Sequence, residues 1–328
     1  MTIPLTLACE RYDRTEALRD GRVVPAGVDL TYLPQQVEET FFRMARFQEF
    51  DAAEMSLSSY VIGLTREAPF VALPVFPSRF FRHSGIYVSA RSGIETPRDL
   101  VGKKVGIAEW QLTANVWIRG ILADEYDVPV ESVTYRTGGL HDPGRPEKIT
   151  LDLPSDVRVE PIGPGETLSD LLAAGELDAV YTPRAPRSFL AGDGRVRRLF
   201  EQSGEAEVEY FQRTGIFPIM HVVVLRREVY EANRWLARSL YDAFSAAKRL
   251  CEQNFEETAA LRYMLPWLLD EVDRTTSIMG DDFWPYGLDA NRENLRTFLR
   301  YSFEQGCAAR RLEPEELFAP ETLEDTLV

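Results

Sequence analysis

Short runs of alternating apolar and polar residues, separated by stretches with helical spacing, make up the first third of the chain. PLTLAC (4–9) and VDLTYLP (28–34) alternate as half-buried strands do, and residues 40–47 place their apolar side chains at helical spacing. Strands that alternate with helices in this way predict parallel βαβ units.

The middle of the chain repeats the same alternation. KKVGIA (103–108) predicts a buried strand, and residues 112–126 predict a helix with an apolar face. Thr167, followed by Asp170, predicts the start of a further helix, which Gly175 can end.

Two segments of the chain echo each other. FQEFDAAEMS (47–56) and AGELDAVYTP (174–183) share Glu, an apolar residue, Asp and Ala in one register. The last third begins with a strand pattern at IMHVVVLRREVY (219–230) and then becomes mainly helical. We therefore predict two similar α/β lobes, one formed by residues 1–88 and 216–328 and the other by residues 89–215.

The charge and the cysteines narrow the choice of function. The formal net charge of −15 argues against nucleic acids and anionic membrane surfaces as partners, although a local cationic pocket can still bind a small anion. The three cysteines form no CxxC pair, which predicts free thiols in a reducing compartment. The N-terminal residues have no basic segment followed by a long apolar run, so we expect no signal peptide and a cytoplasmic protein.

Ligands of open α/β sheets bind at the carboxyl ends of the strands, and this rule selects a few loops. Carboxylates and arginines in these loops, and the three histidines of the chain, are candidates for acid–base chemistry and anion binding. The candidate catalytic residues are His83, His221 and Glu109. The candidate ligand-binding residues are Ser56, Ser58, Arg79, Arg82, Trp110, Gln111, Thr113, Arg136 and Arg184.

Each candidate also has a purely structural interpretation. Arg79 and Arg82 lie in FPSRFFRHS (76–84) and either clamp carboxylates or form internal ion pairs. Ser56 and Ser58 either bind an anion at a helix start or simply cap the helix. A lone histidine is often a hydrogen-bonded structural residue. No HExxH, GxGxxG or GxxxxGK[ST] pattern occurs, so neither a zinc site nor a nucleotide site is indicated.

Several long blocks of the sequence resemble the 4,5-dihydroxyphthalate decarboxylase family. The blocks that carry the resemblance are FPSRFFRHSGIYV, PRDLVGKKVGIAEWQLTANVWIRGILADEY, FPIMHVVVLRREVYEANRWLARSLYDAF, MLPWLLDEV and MGDDFWPYGLDANRENL. The resemblance implies a two-lobed, type II periplasmic-binding-protein-like fold with a ligand cleft between the lobes. It also implies loss of CO2 from 4,5-dihydroxyphthalate to give 3,4-dihydroxybenzoate, without a metal or an organic cofactor.

This reaction requires a proton donor at the ring carbon and cations for the carboxylates. We hypothesise that Arg79 and Arg82 hold carboxylates, that His83 or His221 delivers the proton, and that Glu109 is the base at the catechol. Trp110 would form a wall against the ring.

Three other functions stay open at this point. The chain is alternatively a solute-binding protein for a small aromatic anion, a ligand sensor without chemistry, or an enzyme of the same fold with another substrate. Turnover of a substrate, as opposed to stoichiometric binding, separates these classes, and the sequence leaves open whether the protein forms a homo-oligomer.

Overall fold

The structure is a computed structural model that describes residues 2–66, 69–145 and 149–324. Its strands, numbered along the chain, are β1 (Ile3–Cys9), β2 (Val28–Pro34), β3 (Ala52–Ser56), β4 (Phe70–Arg79), β5 (Ile86–Ser89), β6 (Lys104–Ile107), β7 (Thr134–Thr137), β8 (Arg158–Pro161), β9 (Ala179–Tyr181), β10 (Val196–Arg198) and β11 (Ile219–Arg226). Its helices are α1 (Glu16–Arg19), α2 (Val37–Phe47), α3 (Leu57–Leu64), α4 (Thr113–Tyr126), α5 (Leu168–Ala174), α6 (Arg187–Leu190), α7 (Ser203–Thr214), α8 (Arg227–Ala232), α9 (Trp235–Phe255), α10 (Leu268–Met279) and α11 (Arg292–Glu304).

Contacts divide the chain into two compact units. The first unit comprises residues 1–79, 219–296 and 312–328, and the second comprises residues 80–218 and 297–311. The second unit thus includes residues 80–88, 216–218 and 297–311, which the sequence analysis assigned to the first lobe. The helical pattern over 292–304 is continuous, so the sequence contains no signal for a change of unit within that helix.

A five-stranded sheet forms the centre of the first unit, in the order β2-β1-β3-β11-β4. Strand β1 is parallel to β2 and β3, whereas β11 runs antiparallel to both β3 and β4. The side chains of β4 are almost all buried, as its apolar sequence predicts. The long helix α9 buries one apolar face, which includes Leu240 and Phe244.

A six-stranded sheet forms the centre of the second unit, in the order β10-β5-β9-β6-β7-β8. Strands β9, β6, β7 and β8 are parallel, and β5 is antiparallel to its two neighbours. Helix α5 begins and ends as predicted, because the Thr167 hydroxyl accepts the Asp170 N–H and Gly175 adopts a φ of 79°. The predicted α/β fold with mainly parallel sheets is confirmed.

The sequence echo corresponds to a repeated structural element. Asp51 and Asp178 directly precede β3 and β9. The Asp51 carboxylate accepts the backbone N–H of Thr6 on β1 at 2.9 Å, and the Asp178 carboxylate accepts that of Lys104 on β6 at 2.8 Å. Each aspartate therefore ties the start of one strand to its parallel neighbour, which is why both units keep it in the same register.

Candidate active site

Three neighbouring strands of the first unit bring polar side chains together at one edge of the sheet. Residues Ser56 and Ser78 lie at the ends of β3 and β4, and both pair with His221 near the start of β11. Because β11 is antiparallel to β3 and β4, its beginning meets their carboxyl ends. This is the edge at which ligands of open α/β sheets bind.

His221 is held by a buried carboxylate. Its Nδ1 lies 2.6 Å from Oε1 of Glu54, whose side chain is fully buried, while the His221 side chain keeps 17% of its surface exposed. The strand register explains the contact, because Glu54 pairs with Val223 and thus lies diagonally across from His221 on the same face. The ring of Phe41 packs edge-on against the imidazole at 4.9 Å.

Glu54 collects further donors on both of its oxygens. The Tyr12 hydroxyl donates to Oε1 at 2.7 Å, and the backbone N–H of Glu10 donates to Oε2 at 3.1 Å. The Cys9 thiol lies 3.5 Å from Oε2. Burial alone would raise the pKa of Glu54, but the charge on His221 and the hydrogen bonds from His221 and Tyr12 outweigh it and lower that pKa. Glu54 is therefore an anion at neutral pH.

The arrangement orients the imidazole for proton transfer. A carboxylate on Nδ1 fixes the ring orientation and the tautomer, so that Nε2 is the nitrogen left to exchange a proton with a ligand. Burial and Glu54 raise the pKa of the Tyr12 hydroxyl, which therefore stays a donor. The sequence analysis proposed His221 but missed Glu54 and Tyr12. A carboxylate inside the buried strand AAEMS was the available signal for Glu54.

The first unit also fixes Arg79 firmly. Its Nη2 donates to the carbonyl of Pro285 at 2.7 Å and to the side-chain oxygen of Asn291, and its guanidinium lies 5.2 Å from the centre of the Phe76 ring. Burial lowers the pKa of Arg79 to about 9, so the side chain is still a cation at neutral pH. The Arg79 side chain is thus held by a backbone carbonyl and a side-chain amide oxygen of its own unit.

The two serines have structural roles in helix α3. The Ser56 hydroxyl accepts the N–H of Ser59 at 3.4 Å and so caps the helix. Ser58 lies in the first turn and is fully buried. Ser56 is the serine that shares an edge with His221, because the two residues pair directly across β3 and β11.

In the second unit, His83 lies in a cage of aromatic rings. The rings of Phe200, Tyr210 and Tyr126 surround the imidazole with centroid distances of 5.1, 5.3 and 5.9 Å. Neither ring nitrogen has a hydrogen-bond partner among the residues that the structure describes. Burial, helped by the charge of Arg213, lowers the pKa of His83 to about 4, so His83 is neutral at physiological pH.

Arg82 lies beside His83 in sequence and is also buried. Its guanidinium lies 4.8 Å from the centre of the Phe80 ring. Burial lowers its pKa to about 10, and the charge of Glu207 acts in the opposite direction. Arg82 therefore remains a cation with an acidic neighbour in its own unit.

A second charged cluster follows strand β6. The fully buried side chain of Glu109 accepts Nε and Nη2 of Arg145 on Oε1, at 2.7 and 2.6 Å. Its Oε2 accepts the side-chain amide of Gln111 at 2.8 Å, and the amide of Asn115 donates to the Glu109 carbonyl. Thr113 is buried at the start of α4. Arg145 was not among the sequence candidates.

Trp110 packs inside the second unit. Its indole N–H donates to the carbonyl of Gln305 at 2.9 Å, Arg119 lies 3.7 Å above its ring, and the side chain is buried.

Arg136 forms an ion pair with Glu160 at 2.7 Å. Arg184 is exposed, and its backbone is held by Thr182. The described ranges contain no group of three or more His, Cys, Asp or Glu side chains placed to bind a metal ion.

Two curated proteins are similar to this chain. A 4,5-dihydroxyphthalate decarboxylase from Comamonas testosteroni is 42% identical over 323 residues, which cover 98% of each chain. The chain belongs to the 4,5-dihydroxyphthalate decarboxylase family. A second protein of that name, from Pseudomonas putida, is 44% identical over 209 residues, which cover 63% of this chain and 81% of that one. No protein-family model matches the chain. The family resemblance seen in the sequence is confirmed.

Solved structures support the fold. The periplasmic aliphatic sulphonate binding protein SsuA from Escherichia coli superposes with a TM-score of 0.54 at 14% identity, covering 98% of this chain and 99% of that chain. The alkanesulfonate-binding protein SsuA from Xanthomonas axonopodis pv. citri gives a TM-score of 0.52 at 14% identity, covering 97% of each. The periplasmic-binding-protein-like fold is thus confirmed. Within the described residues, no helix combines the length and apolarity needed to span a bilayer.

Proposed function

We propose that this chain is a carboxy-lyase that converts 4,5-dihydroxyphthalate into 3,4-dihydroxybenzoate and CO2. Its membership of the decarboxylase family supports the reaction, and the contact of 2.6 Å between His221 and a buried carboxylate is the structural observation that carries the mechanism. The free thiols of Cys9, Cys251 and Cys307 support a reducing compartment, for which we propose the cytoplasm.

The chemistry requires a proton donor. A carbanion left on an aromatic carbon occupies an sp² orbital and is not delocalised into the ring, so direct loss of CO2 is costly. Protonation of the carboxyl-bearing carbon before CO2 leaves avoids this carbanion. Each carboxylate of the substrate is para to a hydroxyl group, and that oxygen feeds electron density to the carbon that accepts the proton.

His221 supplies the proton in this mechanism. Its Nε2–H bond breaks and a C–H bond forms at the carboxyl-bearing carbon. The C–C bond to the carboxylate then breaks, its electron pair returns to the ring, and CO2 leaves. The substrate dianion plus one proton thus gives the 3,4-dihydroxybenzoate monoanion and CO2. Glu54 holds the imidazole in place through its contact with Nδ1 during the transfer, and solvent returns the proton afterwards.

His83 is the weaker candidate for this role. It is neutral at physiological pH, so it lacks the acidic imidazolium proton, and its ring nitrogens have no hydrogen-bond partner among the described residues. Glu109 is bound by Arg145 and Gln111, and it would have to give up the guanidinium contact to accept a proton. The net reaction restores the hydroxyl with its own proton, so it needs no separate base.

The remaining candidates hold the substrate or the loops around it. Arg79 is a buried cation, which suits a residue that holds a carboxylate, and Ser56 lies on the same sheet edge as His221. Arg82 provides a second buried cation. The packing of Trp110 supports a positioning role for that side chain rather than contact with the substrate ring.

The purified chain provides the direct test. Incubation with 4,5-dihydroxyphthalate should yield 3,4-dihydroxybenzoate, which chromatography detects. One molecule of CO2 should be released per molecule of product. The rate should be the same after treatment with a chelator. Stoichiometric binding without product would refute the carboxy-lyase and support a binding or sensing function. Product that disappears with the chelator would refute the metal-free mechanism.

A further inference from the structure

Arg145 is fixed along one edge of its guanidinium group. Its Nε and Nη2 both donate to Oε1 of Glu109, at 2.7 and 2.6 Å. Glu109 is itself immobilised, because Gln111 donates to its second oxygen and Asn115 donates to its carbonyl. The orientation of Arg145 is therefore set by a buried residue at the end of strand β6.

Among the residues that the structure describes, none contacts the other edge of the same guanidinium group. Arginine carries five N–H donors, and two of them account for the contacts to Glu109. No other described residue forms a hydrogen bond or ion pair with the Arg145 side chain, which keeps 34% of its surface exposed. Nη1 and the second N–H of Nη2 form a fork that matches a carboxylate.

The buried carboxylate explains why this fork is preorganised. A carboxylate as buried as Glu109 is stable only with a charged partner, so the structure holds Arg145 in place whether or not a ligand is bound. A flexible arginine loses conformational entropy when it binds an anion. Arg145 has already lost this entropy through its contact with Glu109, so binding of a ligand costs less. Because the pair is neutral overall, its attraction for an anion comes from directed N–H groups and should depend weakly on salt.

We propose that Arg145 binds a carboxylate of the substrate and that Glu109 is its positioning residue rather than a base. The proposal rests on the proposed function for the identity of the ligand, an aromatic dicarboxylate. It also explains how a chain of net charge −15 can bind a dianion, because long-range repulsion must be offset by local donors.

Binding of phthalate tests the role of Arg145 separately from catalysis. Phthalate has both carboxylates but lacks the hydroxyl groups that the reaction needs. We expect Arg145→Gln to raise the dissociation constant of phthalate, measured by calorimetry, about tenfold or more. The dissociation constant for Arg145→Lys should lie between those of the wild-type chain and Arg145→Gln. KM for 4,5-dihydroxyphthalate should rise by a similar factor.

Arg197→Gln is the matched control. Arg197 belongs to the same unit, keeps 29% of its side chain exposed and pairs with Glu95 at 3.1 Å, so the substitution removes the same charge and a similar ion pair. It should leave the dissociation constant unchanged. Wild-type affinity in folded Arg145→Gln, or a wild-type chain that does not bind phthalate, would overturn the proposal.

The variant Glu109→Gln tests whether Glu109 acts as a positioning residue or as a base. A positioning role predicts weaker phthalate binding and a higher KM with kcat changed less than about threefold, whereas loss of a base would lower kcat by about 10²–10⁴-fold. A fall in kcat with unchanged phthalate affinity would overturn the proposal. If the wild-type chain binds phthalate through Arg145 but produces no 3,4-dihydroxybenzoate, the proposed function fails while the anion site stands.

Discussion

His221 lies near the start of β11 in the first unit, and His83 lies after β4 in the second unit. Both imidazoles are largely shielded from solvent, but their surroundings differ completely. His221 contacts the carboxylate of Glu54, and the charge on His221 in turn lowers the pKa of Glu54. His83 lies among aromatic rings, its nitrogens have no hydrogen-bond partner within the described residues, and its pKa falls to about 4. Burial thus keeps His83 neutral at physiological pH, whereas His221 is held by a buried anion.

The comparison teaches that the partner decides the chemistry of a buried histidine, and the position of the histidine in the sequence does not. His83 adjoins two arginines in FPSRFFRHS, which makes it the more conspicuous of the two residues in the sequence. Its aromatic cage nevertheless selects the neutral form. His221 follows the plain segment FPIM, and its partner is 167 residues away along the chain.

The largest expected effect is on turnover. His221→Gln should lower kcat by about 10²–10⁴-fold, since it removes the proton donor while keeping a polar side chain of similar size. His83→Gln is the matched substitution and should change kcat by less than about threefold in folded protein. Steady-state rates of 3,4-dihydroxybenzoate formation decide between the two histidines, and a larger loss in His83→Gln would reverse the assignment.

A second effect concerns stability and pH. The pKa of His83 falls from an unfolded value of about 6.5 to about 4 in the folded chain, so the unfolded chain binds more protons between these values. Stability should therefore fall as pH drops through this window, by about 3 kcal/mol at most. His83→Phe should remove this pH-dependent loss and fit the same cage.

Urea unfolding at pH 7 and pH 4.5 measures this effect. The difference in unfolding free energy between the two pH values should be smaller by roughly 2–3 kcal/mol in His83→Phe than in the wild-type chain. Equal differences in the two proteins would mean that His83 has a polar partner or is protonated in the folded state.

The smallest expected effect is at Tyr12. Tyr12→Phe removes one of the donors to the buried carboxylate of Glu54, which accepts from several others. A hydrogen bond to a charged group contributes about 1.5–3 kcal/mol to stability, and kcat should fall only a few-fold because His221 keeps its contact. Thermal unfolding and kcat measured on the same preparation check both parts. A loss in kcat as large as that of His221→Gln would make Tyr12 a proton donor instead.

The local signals in the sequence were sufficient for much of the fold. Thr167 and Gly175 bounded a helix correctly, and the echo around Asp51 and Asp178 marked two strands that start in the same way. The helix limits and the short echo are local patterns, whereas the contacts that Asp51 and Asp178 make are long-range. The boundary between the units within residues 292–304 depends on long-range contacts, which helical periodicity does not encode.

Prediction of the site was limited because its contacts also join residues that are far apart in the sequence. The strand-end rule selected Ser56, and the scarcity of histidines drew attention to His221, but the pairing of β3 with β11 was needed to place Glu54 beside the imidazole. The sequence also gave no means of choosing which acidic residue accompanies which arginine. Glu109 and Arg145 are 36 residues apart, and only the folded second unit joins them.

A double-mutant cycle on Glu54 and His221 tests the central claim most directly. If Glu54 acts through His221, Glu54→Gln should lower kcat on the order of tenfold in the wild-type background and have almost no further effect in the His221→Gln background. The double variant should therefore turn over within about twofold of His221→Gln alone. Losses that multiply in the double variant would show that the two residues act independently and would contradict the assignment of His221, held by Glu54, as the proton donor.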